Sequence, residues 1–238
     1  MGFRSARLLA SHSVRAERCS VPTLNGIPLK TGCTSKNDMR IIGITGGIGS
    51  GKTEVAKIFK KLGSKILSGD EIGKEVVEKN SSVLKKLVKS FGDEILNRDK
   101  NLNRRKLGKI AFSTVENRDK LNKIVHPYLL SNLMKKIKEY RKKGSGIVVV
   151  DAALIIEWGL QKELDYLILV ESALKNRIKR LKENLGYSQK EALSRSKMQL
   201  RDKTRRKYAD YIIKNDKNLT ELKRKTVSLW KFIYSEKN

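Results

Sequence analysis

The chain has 238 residues, and its 53 lysines and arginines against 25 acidic residues give a formal net charge of +28. No apolar run reaches the roughly 18–20 residues of a membrane span, and aromatic residues are too few, at 6%, for a protein built to stack nucleic acid bases. The length fits one or two domains of roughly 100–200 residues each, and the charge indicates anionic partners.

Residues 1–38 differ in composition from the rest of the chain, since they hold both cysteines, Cys19 and Cys33, and two of the three prolines. They fit an organelle transit peptide, a disordered tail, or a start codon placed upstream of the true initiator. We favour the last, because Met39 directly precedes the first predicted strand. The body has no cysteine, which suits a reducing compartment, so we expect a cytoplasmic protein unless residues 1–38 target an organelle.

Lysine supplies most of the basic charge of the body, and it is dispersed on predicted helices beside glutamate, as in Lys135-Lys136-Lys138-Glu139. This pattern is more typical of solvated helix faces than of a nucleic acid surface, which would have compact basic tracts interleaved with aromatic residues. We therefore expect no nucleic acid partner and no membrane.

The first predicted strand, Arg40–Ile44, leads directly into a complete G-x-x-x-x-G-K-[ST] motif from Gly46 to Thr53, and a helical pattern follows. This is the strand–loop–helix context of a P-loop. The glycines let the backbone turn its N–H groups toward phosphate, Lys52 reaches the β- and γ-phosphates, and the Thr53 hydroxyl ligates Mg²⁺. The residues that we assign to the ATP phosphates are Gly47, Gly49, Ser50, Gly51, Lys52, Thr53 and Glu54.

A second predicted strand, Lys65–Leu67, leads to Asp70. In a parallel sheet, residues just past the strand ends face the ligand crevice. Asp70 is therefore a candidate general base for an attacking hydroxyl. Asp is also a common N-cap, and Asp70 could instead cap a helix that starts at Glu71. The residues alone leave both interpretations open.

Three further strands are predicted at Gly146–Asp151, Tyr166–Glu171 and Tyr211–Ile213. Together they predict an α/β fold, a five-stranded parallel-sheet P-loop NTPase core. The β-branched run that ends in Asp151 indicates a Walker B carboxylate for Mg²⁺. Residues 71–143 are too long for one crossover helix, so we expect an inserted helical subdomain over the crevice. Its predicted helices are Ile72–Glu78, Ser82–Phe91, Arg104–Phe112 and Glu116–Lys143, the last broken at His126-Pro127.

From Met39 to about Asn215 the chain resembles the dephospho-CoA kinase family. The P-loop Ile44–Lys52 is similar to the family's form of this motif. Ser68-Gly69-Asp70 stands where the family has a D-A-D-like turn and keeps its final Asp. The other similar segments are Phe91-Gly92, Leu102–Phe112, Leu121–Pro127, Asp151–Glu157 (with Ala153 where proline is usual), and Gln199 followed by Arg205-Arg206 and Ala209–Asn215.

The resemblance implies ATP-dependent phosphorylation of the ribose 3′-hydroxyl of dephospho-CoA, with Mg²⁺. It makes Asp70 the favoured base, with Lys52 as its catalytic partner. It also implies a P-loop core at 39–70 and 146–238, a substrate-binding insertion at 71–143 and a mobile helical lid at 173–199. In the lid, Asn184 stands where the family often has a second arginine. The implied lid cations for ATP are Arg177, Arg180 and Arg195, and the implied substrate residues are Arg104, Arg105, His126 and Asp151.

His126 is the only histidine after residue 38. A lone histidine is more often a packed structural group than a catalyst, so we expect His126 to shape the acceptor pocket. Two rival functions stay open: another P-loop nucleoside or nucleotide kinase, and a basic P-loop ATPase that binds nucleic acid.

Overall fold

The structure, a computed structural model, describes residues 39–144 and 146–235, together with the backbone of Thr23–Leu24 and Ile27–Pro28. The chain divides into two units, Met1–Cys33 and Thr34–Asn238. In the first unit, strands β1 (Thr23–Leu24) and β2 (Ile27–Pro28) form an antiparallel pair. The rest of residues 1–38 lies outside the described residues, and so do the three interpretations proposed for this segment.

The second unit is built on one parallel sheet of five strands in the order β4-β5-β3-β6-β7. This confirms the predicted α/β fold and its five strands. All residues of the central strand β3 are buried, as expected for a strand covered on both faces. The strand bounds are β3 Met39–Thr45, β4 Lys65–Ser68, β5 Gly146–Asp151, β6 Tyr166–Glu171 and β7 Tyr211–Lys214.

Helices cover both faces of this sheet. Their bounds are α1 Lys52–Lys61, α2 Gly69–Lys79, α3 Ser81–Phe91, α4 Arg104–Ala111, α5 Val115–Lys143, α6 Leu174–Leu185, α7 Gln189–Lys197, α8 Asp202–Arg205 and α9 Leu219–Ser235, with 3-10 turns at Asp93–Ile95 and Leu160–Glu163. None of the helices in residues 39–144 and 146–235 combines the length and the apolar character needed to cross a membrane.

The insertion, α2 to α5, shares one hydrophobic core with the sheet. Alternate strand residues such as Ile41 and Val150 point into this core, where they meet Ile72 of α2, Leu87 of α3 and Leu133 of α5. The insertion is thereby fixed beside the edge where the strands end.

Helix α5 is continuous across Pro127, so the predicted break at His126-Pro127 is wrong. A proline removes one backbone donor and crowds the preceding turn. Here four buried residues at four-residue spacing lie along one face of α5, and their burial outweighs that cost. They are Val125, Leu129, Leu133 and Ile137.

Candidate active site

The phosphate loop ends in a helix whose first turn has no side-chain cap. Gly51 is the N-cap residue of α1 and has φ 97°, and no side chain accepts from the first N–H groups of that helix. Side-chain oxygens do cap α2, α3, α4, α5 and α7, at Ser68, Asn80, Asn103, Thr114 and Ser188. The start of α1 therefore keeps its N–H groups and its partial positive charge for an anion.

Side chains from distant parts of the chain hold the phosphate loop from outside. Each forms a hydrogen bond with a backbone group of Ile48, Gly49 or Ser50. Ile48 N–H donates to Gln199 Oε1 at 2.7 Å, Ile48 C=O accepts from Arg177 Nε at 2.8 Å, Gly49 C=O accepts from Arg180 Nη1 at 3.2 Å, and Ser50 C=O accepts from Asn215 Nδ2 at 2.8 Å. With its carbonyls bonded outward, the loop can turn its remaining N–H groups inward.

Two residues predicted to bind phosphate are engaged elsewhere in the structure. The Ser50 N–H donates to the Gly47 carbonyl at 3.0 Å, and its hydroxyl is buried. The Glu54 N–H donates to the Gly51 carbonyl at 3.0 Å, and its carboxylate pairs with Lys57 at 2.7 Å on the solvent side of α1. The assignment of Ser50 and Glu54 to the ATP phosphates stays a prediction.

Lys52, Thr53, Asp70 and Asp151 meet at the carboxyl edge of the sheet. The register explains this, since Asp151 lies opposite both Ile44, which precedes the loop, and Ser68, which precedes α2. Burial raises the pKa of Asp151. Lys52 opposes this shift, Asp70 and, more weakly, Glu71 add to it, and a hydrogen bond with the Thr53 hydroxyl lowers the pKa. The positive charge near Asp151 therefore does not offset the cost of burying its ionised carboxylate.

Asp70 is not the N-cap of α2, so that alternative is wrong. Helix α2 begins at Gly69, and the Ser68 hydroxyl accepts from Glu71 N–H at 3.2 Å. Asp70 therefore lies within the first turn, and its side chain is exposed toward the crevice.

Thr53 and Asp151 fit a bound Mg²⁺. Asp151 Oδ1 is buried and has no hydrogen-bond partner among the described residues. Oxygen ligands of this kind suit Mg²⁺, which usually takes one or two protein oxygens and completes its shell with phosphate and water. Residues 39–144 and 146–235 contain no cluster of three or more His, Cys, Asp or Glu side chains arranged for a metal.

A cavity of about 410 Å³ lies between α2, α4, α5 and the segment after β5. Its wall is mainly apolar, and Asp70 lies at its edge. His126 lies in this wall and packs edge-on against Trp158, with ring centroids 5.4 Å apart, and burial lowers the pKa of the imidazole. Arg104 also lines the cavity and pairs with Glu78 at 2.8 Å.

Arg105 is exposed on α4 and is not part of the cavity wall. Asp151 is likewise absent from that wall and lines a neighbouring cavity of about 620 Å³ with Thr53 and Glu71. The structure thus brings Arg104 and His126, but neither Arg105 nor Asp151, to the cavity beside Asp70.

The three predicted lid cations occupy two different places. Arg177 and Arg180, on α6, lie against the phosphate loop through the hydrogen bonds described above. Arg195, on α7, instead stacks between the rings of Phe112 and Tyr187, with 5.4 and 4.7 Å from its Cζ to the ring centroids. Arg195 therefore contacts the insertion and not the loop.

A further cavity of about 760 Å³ lies at the base of the lid segment, where Arg177, Gln199 and Asp216 line it. Asp216 accepts from Ala173 N–H at 2.7 Å, and this bond lowers the pKa of the carboxyl. The sequence reasoning gave no role to Asn215 or Asp216. Two signals were present: Asn215 ends the family-like segment Ala209–Asn215, and both residues directly follow the last strand, at the ligand edge of the sheet.

Comparisons of the whole chain with known proteins identify its family. A family model described as dephospho-CoA kinase matches residues 40–221. A dephospho-CoA kinase from Dehalococcoides mccartyi is 37% identical over 185 residues, which cover 78% of this chain and 93% of that protein. One from Arabidopsis thaliana is 35% identical over 184 residues, which cover 77% of this chain and 79% of that protein.

Solved structures show the same fold. A Thermus thermophilus structure that is 30% identical superposes with a TM-score of 0.66 and covers 81% of this chain and 96% of its own. A dephospho-CoA kinase from Campylobacter jejuni, 24% identical, has a TM-score of 0.59 and covers 82% of this chain and 97% of its own. The P-loop, the carboxylates beside it and these matches lead to one conclusion: the chain belongs to the dephospho-CoA kinase family.

Proposed function

We propose that this chain transfers the γ-phosphoryl group of ATP to the ribose 3′-hydroxyl of dephospho-CoA, giving coenzyme A and ADP. The observation that carries the proposal is the position of Asp70. Its carboxylate borders the cavity of about 410 Å³, and its charge also acts on Asp151, next to Lys52 and Thr53. One carboxylate thus joins an acceptor cavity to a phosphate-binding loop.

In the proposed reaction, Asp70 accepts the proton of the 3′-hydroxyl as its oxygen forms a bond to the γ-phosphorus. The bond between that phosphorus and the β–γ bridging oxygen breaks, and ADP leaves. Lys52 and the N–H groups at the start of α1 stabilise the negative charge that develops on the phosphoryl oxygens. Thr53 and Asp151 would hold Mg²⁺, which supplies charge neutralisation of the phosphates when bound.

The acceptor cavity supports a ligand with both apolar and polar parts. Leu107, Leu121 and Val125 supply apolar surface, while His126 and Arg104 supply polar groups at its wall. A long, partly apolar molecule that carries phosphate groups suits this combination. In this proposal, the cavity at the base of the lid segment takes the nucleoside part of ATP.

We further propose that the chain acts in the cytoplasm and not on nucleic acid. Several of its lysines pair with glutamates on helix faces, as Lys57 does with Glu54 and Lys225 with Glu221. This supports a solvated surface. Residues 39–238 contain no cysteine, which suits a reducing compartment.

Product identification tests the proposal. The protein is incubated with γ-labelled ATP, Mg²⁺ and either dephospho-CoA, a mixture of nucleosides and nucleoside monophosphates, or RNA. We expect label in coenzyme A, on the 3′-oxygen. Label in a nucleotide, with none in coenzyme A, would assign the chain to another kinase class. ATP hydrolysis stimulated by RNA would favour a nucleic acid ATPase.

A further inference from the structure

Both backbone groups of Ile48, in the phosphate loop, are held by the two ends of the lid segment, residues 173–199. Arg177 comes from α6, near the start of this segment, and bonds the Ile48 carbonyl at 2.8 Å. Gln199 lies at its other end and accepts from the Ile48 N–H at 2.7 Å. One loop residue is thus fastened to both ends of the segment.

The Arg177 side chain also fills the space beside Gly47. A Cβ atom on Gly47 would lie 2.5 Å from Arg177 Cζ and 2.7 Å from Nη1, and closer still to Nη2. Gly49 and Gly51 have positive φ angles of 76° and 97°, but Gly47 does not have one. The φ angle of Gly47 does not itself require glycine, so a side chain at this position would have to displace the guanidinium.

The Arg177 guanidinium is itself held in place. Arg177 is only 7% exposed, and its Nη1 lies 3.4 Å from Asp202 Oδ2. Asp202 Oδ1 in turn accepts from the buried Arg205 at 3.2 Å, and Arg205 also donates to the Leu200 carbonyl. A buried guanidinium with defined partners is a rigid support, unlike the flexible cation of a solvated helix face.

We propose that Arg177 and Gln199 are positioning residues that fix the shape of the phosphate loop through Ile48 and Gly47, and so couple donor phosphate binding to the placement of the lid segment. This rests on the proposed function only in taking ATP as the ligand of the loop. Arg177 acts here through the loop backbone: its Nε is used by the Ile48 carbonyl, and its Nη1 faces Asp202.

The first test is a double-mutant cycle on Gly47→Ala and Arg177→Ala, read by titration of a fluorescent ATP analogue without acceptor. In the wild-type background, Gly47→Ala should weaken binding about tenfold, because the new methyl group displaces the guanidinium. In the Arg177→Ala background the same change should cost less than about twofold. An equal loss in both backgrounds would overturn the proposal, since the guanidinium would then not be what Gly47 accommodates.

Gln199 provides a second test that does not depend on removing a buried arginine. Gln199→Leu keeps the approximate size but removes the acceptor for Ile48 N–H, and should raise KM for ATP about five- to tenfold, the effect of one lost hydrogen bond. KM for dephospho-CoA should stay within about twofold. Lys190→Ala, on the exposed face of α7, is the matched control and should leave both constants unchanged.

Equal rises in both KM values, or a rise in neither, would show that Gln199 does not position the loop. Failure of the proposed reaction would appear differently. In that case the ATP analogue would still bind the wild-type protein, and the binding cycle would still be measurable, while dephospho-CoA would receive no label.

Discussion

The phosphate loop leads into the uncapped backbone N–H groups at the start of α1, whereas side chains line the cavity beside Asp70. The loop takes its shape from bonds made behind it, by Arg177, Gln199 and other distant side chains. The cavity takes its shape from helix packing, and its polar groups, such as His126 and Arg104, are few. The loop should therefore tolerate almost no change at the residues that touch phosphate. The cavity should tolerate substitutions that keep its volume.

The largest effect is expected at Lys52, which we propose contacts the transferred phosphate. Lys52→Ala should lower kcat by roughly 10³-fold, because it removes a cation that stabilises charge in the transition state. Steady-state assays of label transfer measure this. Lys57→Ala, five residues along α1 and paired with Glu54 on the solvent side, is the control and should have the wild-type rate. A wild-type rate for Lys52→Ala would show that Lys52 does not stabilise the transition state.

Asp70 belongs to both halves of the site, so its variant separates chemistry from binding. Asp70→Asn should keep binding of the ATP analogue and lower turnover by about 10²-fold, the usual scale for a general base. Glu75→Gln, on the same helix and paired with Lys136 at 3.5 Å, controls for a change of charge on α2. If turnover hardly falls, the acceptor hydroxyl loses its proton elsewhere and Asp70 only shapes the cavity edge.

The ionised carboxylate of Asp151 should favour activity and lower the stability of the folded protein. Burial raises its pKa above the ordinary 3.8, so the folded protein binds this proton more tightly than the unfolded chain does. Stability from this group therefore falls as pH rises from 3.8 through the raised pKa, and at neutral pH the ionised carboxylate destabilises the free protein. Asp151→Asn should lower activity about 10- to 100-fold at limiting Mg²⁺, and yet raise the melting temperature of the free protein.

The pH dependence distinguishes this explanation from general repacking. The gain in melting temperature of Asp151→Asn should be largest near pH 7 and shrink as pH falls through the raised pKa toward 3.8, because below 3.8 the wild-type carboxyl is mostly protonated in both states. A gain that is constant with pH, or a loss, would contradict a destabilising charge at this position.

The two halves of the site also differ in how far the sequence predicts them. The loop follows from a local pattern, since Gly46 to Thr53 fixes the glycines, the lysine and the threonine by spacing alone. Its outer bonds do not follow from such a pattern. Ile48 and Arg177 are 129 residues apart in the chain, and Ser50 and Asn215 are 165 apart. Contacts at that separation depend on strand order, which periodicity does not reveal.

Local rules failed where tertiary packing outweighed them. Pro127 is a helix breaker by propensity, yet α5 continues because apolar residues on both sides of it, such as Val125 and Leu129, are buried in one core. Asp70 is a good N-cap by residue type, but Ser68 takes that position because the helix begins earlier than the apolar pattern indicated. Both errors concern the acceptor half, where long-range packing decides the local structure.

The smallest effect is expected at His126, in the wall of the cavity. His126→Phe keeps the ring and its edge-on contact with Trp158, so kcat should stay within about threefold of wild type, as befits a wall residue. Burial lowers the pKa of His126 below the ordinary 6.5, so the unfolded chain binds this proton first as pH falls. The wild type should therefore lose stability from about pH 7 to pH 5.5, and the variant should lose less. Melting temperatures of both proteins at pH 7.5 and pH 5.5 measure the difference. Equal losses would show that His126 does not titrate differently in the folded protein, and a large fall in kcat would make it part of the chemistry.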